Sequence, residues 1–182
     1  MTVVPLPVVR RQVALAVFVR DGAFLVAEII DPHDGRVYHR PPGGGLEPGE
    51  TPEQAVRREL QEELGIALTT VRPLAAGAAQ GGGHRGPGPA RAKAGRAAEP
   101  RWGPRQSIDH VWIWKRRELH ERAFLFLADP ADDPRLARGD CPELVEADGL
   151  RFRTLWRPIH AAATPALPPL SPQPLAAALA AL

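Results

Sequence analysis

The chain has 182 residues, 44% apolar and 24% charged, enough for one domain with a sizeable core and unlike a disordered or collagen-like polymer. The formal net charge is only +2, and Lys93 and Lys115 are the only lysines among the basic residues. With so much Ala, Pro and Gly, the arginine excess reads as codon bias, and no nucleic-acid partner is expected. A single cysteine, Cys141, excludes an internal disulfide and a multi-cysteine zinc site.

In chain order, residues 12–20 (QVALAVFVR) read as a strand ending at Asp21-Gly22, a hairpin turn signal. Residues 23–30 form the returning strand, 31–36 a second turn, and 37–40 (VYHR) a short strand leading into the glycine loop 43–49. Glycines there let the backbone approach a phosphate or metal that a Cβ would obstruct. A helix follows: Thr51 suits the N-cap, Pro52 the first helical position, and Gly65 the stop. Residues 66–74 read as a strand. Residues 75–106 have almost no large apolar side chain and a basic excess, so they are expected to be a flexible insertion, either inert or a basic lid. Strands are predicted at 107–114 and 120–127, with a turn at 115–119 between them. A Pro/Asp-rich connector spans 128–140, a last strand 150–158, and a short apolar helix 175–182 begins after Pro174. No stretch approaches membrane-spanning length, and the run 13–19 lacks a cleavage site, so a cytoplasmic protein is expected.

The helix carries the chemistry. Ala55, Val56, Leu60 and Leu64 recur at about one turn and predict a core-facing stripe. Glu59, Glu62 and Glu63 fall on a neighbouring face, where like charges repel. A divalent cation reverses that cost, because hard ions such as Mg²⁺ take carboxylate oxygens and share their coordination with water and substrate phosphates.

Gly44, Glu50, Arg58-Glu59-Leu60, Glu62-Glu63 and Gly65-Ile66 stand at the spacing of the Nudix box, and on these residues the chain resembles the Nudix hydrolase family. The lead VYHRPPGGG and the later segments SIDHVWIW, HERAFLFL and LRFRTLWRPI resemble a bacterial subgroup of it. The resemblance implies an α/β/α sandwich with a mixed sheet and a central catalytic helix, as a single domain over 1–182. It implies hydrolysis of a nucleoside diphosphate linked to another group, with Mg²⁺ or Mn²⁺. It further implies metal ligation by Glu59, Glu62, Glu63 and the Gly43 carbonyl, support from Glu50, and substrate contacts from Arg40, Gly43, Gly44 and Gly45. Arg58 is expected to orient a carboxylate through charge-assisted hydrogen bonds.

The general base stays open between a box glutamate and an outside carboxylate, with Glu118 and Glu121 as candidates that read more readily as solvated charges. His110 and His120 read as sheet-edge histidines, and Tyr38, Trp112 and Trp114 as core aromatics or a base-stacking surface. Residues 81–83 are glycines and His84 follows, so the proline of ADP-ribose hydrolases and the tyrosine of dinucleoside-polyphosphate hydrolases are absent there. A small nucleotide, with a nucleoside triphosphate (an oxidised one included) slightly favoured, is the expected substrate. NDP-sugars, ADP-ribose and dinucleoside polyphosphates are the alternatives, and a homodimer is left open. Two other classes are weighed. An isopentenyl diphosphate isomerase needs a catalytic cysteine early in the sheet, where Cys141 does not lie. A non-catalytic nucleotide sensor would be expected to lose box carboxylates that this chain keeps.

Overall fold

The computed structural model describes residues 6–74, 107–180 and 182. Its backbone is a mixed sheet organised on β1 (Val8–Arg20). The two-residue periodicity of β1 divides the core. Ala14, Ala16 and Phe18 enter one apolar cluster, while Val13, Leu15 and Val17 enter the other, on the opposite face. The strand starts earlier than the apolar run 12–20 predicts, because β7 (Arg117–Ala128) runs parallel to it and supplies ladder partners from Val8↔Glu118 onward.

Asp21 and Gly22, with φ of 48° and 73°, make the expected two-residue hairpin into β2 (Ala23–Ile30). β3 (Val37–Arg40) returns along β2, pairing Arg40 with Ala27. β4 (Gly43–Gly45) then pairs with β1 at Leu15↔Gly43, which brings the glycine loop beside the sheet centre. β5 (Val71–Pro73) and β6 (Ser107–Trp114) both lie against β7, and β10 (Thr154–Pro158) pairs with β2.

Helix α1 (Pro52–Leu64) forms where its caps require. Thr51 and Gln54 exchange hydrogen bonds as a capping box, and Gly65 ends the helix in the left-handed conformation at φ 68°. Ala55, Val56, Leu60 and Leu64 are buried against the Phe18 face of the sheet. Each fully buried aliphatic side chain there contributes roughly 1.5–3 kcal/mol. On the other face, α3 (Leu175–Leu179) closes the second cluster with Leu175, Ala178 and Leu179. The segment before α3 clips onto β3: the His39 amide donates to the Pro169 carbonyl, and the Ser171 amide donates to the His39 carbonyl.

Several boundaries differ from expectation. Residues 66–70 are not a strand. Ile66 and Leu68 are buried, but the backbone leaves α1 through an Ile66 N–H bond to Leu60 and is then held by Thr69 hydrogen bonds to Asp132. The turn at 115–119 is shorter than predicted. Lys115 and Arg116 turn the chain alone at φ 49° and 57°, with the Lys115 amide on Asp31. The connector 128–140 holds a 3₁₀ turn and α2 (Pro134–Arg138), each begun by an Asp cap followed by Pro. The expected strand 150–158 is split into β9 (Arg151–Phe152) and β10. A hairpin absent from the sequence reading pairs β8 (Leu144–Val145) with β9. The insertion 75–106 lies outside the described residues.

Candidate active site

α1 presents its acidic face to the glycine strand, and the two elements form one wall of a cavity of about 410 Å³. Of the residues singled out from sequence, Arg40, Gly43, Gly44, Gly45, Arg58, Glu59, Glu62 and Glu63 all line it. Glu50 does not. It binds Arg58 through both oxygens, from Nε and from Nη2 at 3.0 Å each, and also accepts the Glu47 amide. Arg58 in turn donates to the Gly45 carbonyl at 2.8 Å, to Glu59 at 3.0 Å and to Glu62 at 3.1 Å. One guanidinium therefore ties the loop to two helix carboxylates, and its own pKa rises through these bonds, with Glu50 the largest contributor.

The three helix carboxylates are not equivalent. Glu62 is at the rim, with a side chain 58% exposed. Glu59 is half-buried, and burial raises its pKa despite Arg58. Glu63 is buried and pushed up to about 8, first by burial and then by the charges of Glu146 and Glu59. The Gly43 amide supports it, yet its Oε2 is buried without a hydrogen-bond partner.

The cavity lining also has aromatic and basic members. Trp112 and Trp114 stack with ring centres 5.8 Å apart, and Phe152 meets Trp114 edge-on at 6.5 Å. Arg40 lies over Trp112 at 5.2 Å. Tyr38 packs edge-on against Trp112 at 5.4 Å.

A sequence model of the NUDIX domain matches residues 9–177. The chain belongs to the Nudix family. Its mixed sheet with a central helix is the Nudix fold. A solved structure of the Escherichia coli ORF135 protein is similar at a TM-score of 0.50 and 23% identity, covering 96% of this chain and 91% of that one. Among curated relatives, a nucleoside triphosphatase NudI of Enterobacter sp. (strain 638) is 60% identical over 35 residues, 18% of this chain and 25% of that protein. An RNA pyrophosphohydrolase of Yersinia enterocolitica is 42% identical over 66 residues, 36% of this chain and 35% of that one. The chain thus spans about a quarter to a third of the length of these curated relatives.

Within this Nudix site, the fit to a divalent cation is testable on the donors. Among the described residues no three acidic, histidine or cysteine side chains already form a metal centre. The orphaned Glu63 oxygen, the crowding of Glu63 by Glu59 and Glu146, and the all-oxygen donor set nevertheless suit a hard cation. Gly44 makes room for this set: a Cβ there would lie 2.5 Å from the Glu59 carboxyl carbon.

Of the outside carboxylates, Glu118 bonds His120 at 2.6 Å and is not among the cavity-lining residues. Glu121 is not a solvated charge; its side chain is fully buried, with both oxygens taken by Arg11 and Arg40. Two of the cavity residues that the sequence reading did not single out bear on the chemistry. Glu146 begins the tight turn to Gly149 between β8 and β9, and burial followed by Asp148 raises its pKa. Asp148-Gly149 after an apolar pair was the available signal, the same one that marked Asp21-Gly22. Arg11 is the other, and it lies on the part of β1 that precedes the apolar run.

Proposed function

We propose that the chain is a metal-dependent Nudix pyrophosphohydrolase that cuts the P–O–P linkage of a nucleoside diphosphate joined to a further group. A nucleoside triphosphate, an oxidised one included, is the favoured substrate. The observation that carries the reading is Glu63, a buried carboxylate with an unpartnered oxygen, crowded by two further carboxylates in one cavity. Such crowding is unfavourable unless a proton or a cation relieves it.

Glu59 and Glu63, with Glu62 and the Gly43 carbonyl, would hold Mg²⁺ or Mn²⁺. Such a cation, when bound, neutralises phosphoryl charge and acidifies water. Arg58 keeps Glu59 and Glu62 oriented, and Glu50 holds Arg58 in turn. Of the three cavity carboxylates outside the helix, Glu47 and Asp148 are exposed, and the partly buried Glu146 is the one assigned to take the proton of the attacking water. As that water oxygen bonds to phosphorus, the bond from phosphorus to the leaving phosphate oxygen breaks. Trp114 and Phe152 offer an apolar face to the base, while Arg40 and the Gly44-Gly45 backbone stand beside the phosphates. The name of the Enterobacter relative supports a triphosphate, on the short segment it shares with this chain. The exposed, unpaired Cys141 is not among the cavity-lining residues, which weighs against the isomerase alternative and fits a cytoplasmic enzyme.

The test is a substrate panel with Mg²⁺ or Mn²⁺, its products separated by chromatography. It holds nucleoside triphosphates and their oxidised forms, NDP-sugars, ADP-ribose, dinucleoside polyphosphates and a 5′-triphosphorylated oligonucleotide. Release of a nucleoside monophosphate plus the complementary phosphate product is expected. Failure to cleave any P–O–P linkage with either metal would overturn the proposal.

A further inference from the structure

Glu121 is a full negative charge inside the protein, with a side chain 0% exposed. A lone buried carboxylate is strongly unfavourable, and two guanidiniums compensate this one. Arg11 donates from Nε at 2.8 Å and places Nη2 at 2.6 Å, both on Oε1. Arg40 donates from Nη1 to Oε2 at 2.8 Å and also to Ser171 Oγ at 3.2 Å. The strands dictate the arrangement, because Arg11 and Glu121 are direct partners in the β1–β7 ladder. Each arginine spends one edge on the interior, and both line the cavity, whereas Glu121 is not among its lining residues. The three groups together carry one net positive charge beside the cavity.

We propose that Glu121 is a positioning residue that holds Arg11 and Arg40 as a paired anion clamp for the substrate's phosphate chain. The proposal rests on the pyrophosphohydrolase reading for what the clamp binds. Two fixed guanidiniums suit a polyphosphate better than mobile cations do, because each keeps its forked donors oriented before binding. Glu121 supplies that orientation from beneath, without touching substrate.

The sign of one substitution separates this role from simple electrostatics. Removing a negative charge near a polyanion site should tighten binding by Coulomb's law alone. If Glu121 acts by holding the arginines, Glu121→Gln weakens binding instead. The probe is imidodiphosphate, a hydrolysis-resistant pyrophosphate analogue, titrated calorimetrically at fixed Mg²⁺ into the full chain, with folding checked by thermal melts. We expect Arg11→Ala and Arg40→Ala each to raise Kd about tenfold. Glu121→Gln should raise it by at least as much, and Glu121→Asp should fall between Gln and wild type. In turnover the Glu121 variants should show the loss mainly in KM. A folded Glu121→Gln that binds as tightly as wild type, or more tightly, overturns the proposal.

Should Glu121→Gln not fold, Glu121→Asp decides on the same readout. Because Arg11 is 41% exposed, Arg11→Lys decides if neither does. Lysine keeps the charge without the fork, and wild-type affinity in that variant would overturn the clamp. Wild-type binding of the probe without hydrolysis of any nucleotide would remove the enzymatic reading and leave the clamp. Hydrolysis without probe binding would do the reverse.

Discussion

Gly44 and Glu59 are built around each other: a Cβ on Gly44 would fall within 2.5–2.6 Å of all three atoms of the Glu59 carboxylate. The obstructed group is the end of a flexible side chain, so it can move aside at little cost in stability. Its position is what would be lost. Gly44→Ala should therefore melt within a few degrees of wild type while turnover falls about tenfold or more. Gly43→Ala is the contrast, because its Cβ would meet the Ala14 carbonyl oxygen at 2.3 Å with φ at 122°. Backbone cannot step aside, and a loss of roughly 2 kcal/mol or more is expected in denaturant melts. Equal effects of the two substitutions on stability would contradict this division.

Glu62 and Glu63 are adjacent in sequence but not in environment. Glu62 is at the rim under Arg58, whereas Glu63 is buried. Glu62→Gln should cost about tenfold in kcat, well short of the loss expected at Glu63. Steady-state kinetics at saturating metal checks the ranking, and a larger loss at Glu62 would refute it.

Glu146 should reveal itself in a pH–rate profile. Burial, followed by Asp148, lifts its pKa above the ordinary carboxylate range, so a base at this position loses function as pH falls through that raised value. Glu146→Gln should lower kcat about a hundredfold and remove the acid limb attributable to this group. A variant that keeps both kcat and the limb would exclude Glu146 as the base.

Stability should also depend on pH, through His110. Burial, followed by the charge of Arg40, holds its pKa down at about 4, against the opposing pull of Glu121. Its Nε2 lies 3.1 Å from Ser171 Oγ, beneath the arginine clamp. Between about 6.5 and 4 the unfolded chain binds a proton at this position that the folded chain refuses, so stability rises with pH across that window. Buried His39 shifts in the same direction. Below about 4.5, Glu121 adds a loss of its own as pH falls, because Arg40 and Arg11 overcome its burial and hold its pKa at about 2. From pH 7 to 4.5, His110→Gln should flatten the decline in stability, by an amount on the order of 2 kcal/mol. Parallel curves for variant and wild type would contradict the assignment.

What could be read from sequence were the features with local causes. The α1 caps, its apolar stripe and the Asp21-Gly22 turn all lie within a few residues of the groups that enforce them, and the structure has them as expected. The acidic face and the glycine strand likewise meet as their order implies. What escaped depends on distant partners. Arg11 belongs to a strand extension that exists only because β7 runs beside it, 110 residues later for its partner Glu121. Glu121 reads as a solvated charge near the start of a strand until Arg40 arrives from β3 to pair with it. Glu146 had a local turn signal, but nothing local places that turn over α1. Ile66 and Leu68 have the pattern of a strand, yet burial without a ladder satisfied them.

In the proposed mechanism the carboxylates of α1 act through a divalent cation on a phosphoanhydride. Turnover of wild type and Glu63→Gln across a Mg²⁺ titration, on whichever nucleotide the panel selects, tests it most directly. Wild type should show saturable metal dependence, abolished by chelation and restored by added metal. Turnover of Glu63→Gln should fall about a thousandfold or more, equivalent to roughly 4 kcal/mol of transition-state stabilisation, with an unchanged melting temperature. Turnover that persists in chelator, or near-wild-type turnover of Glu63→Gln at saturating Mg²⁺, would contradict it.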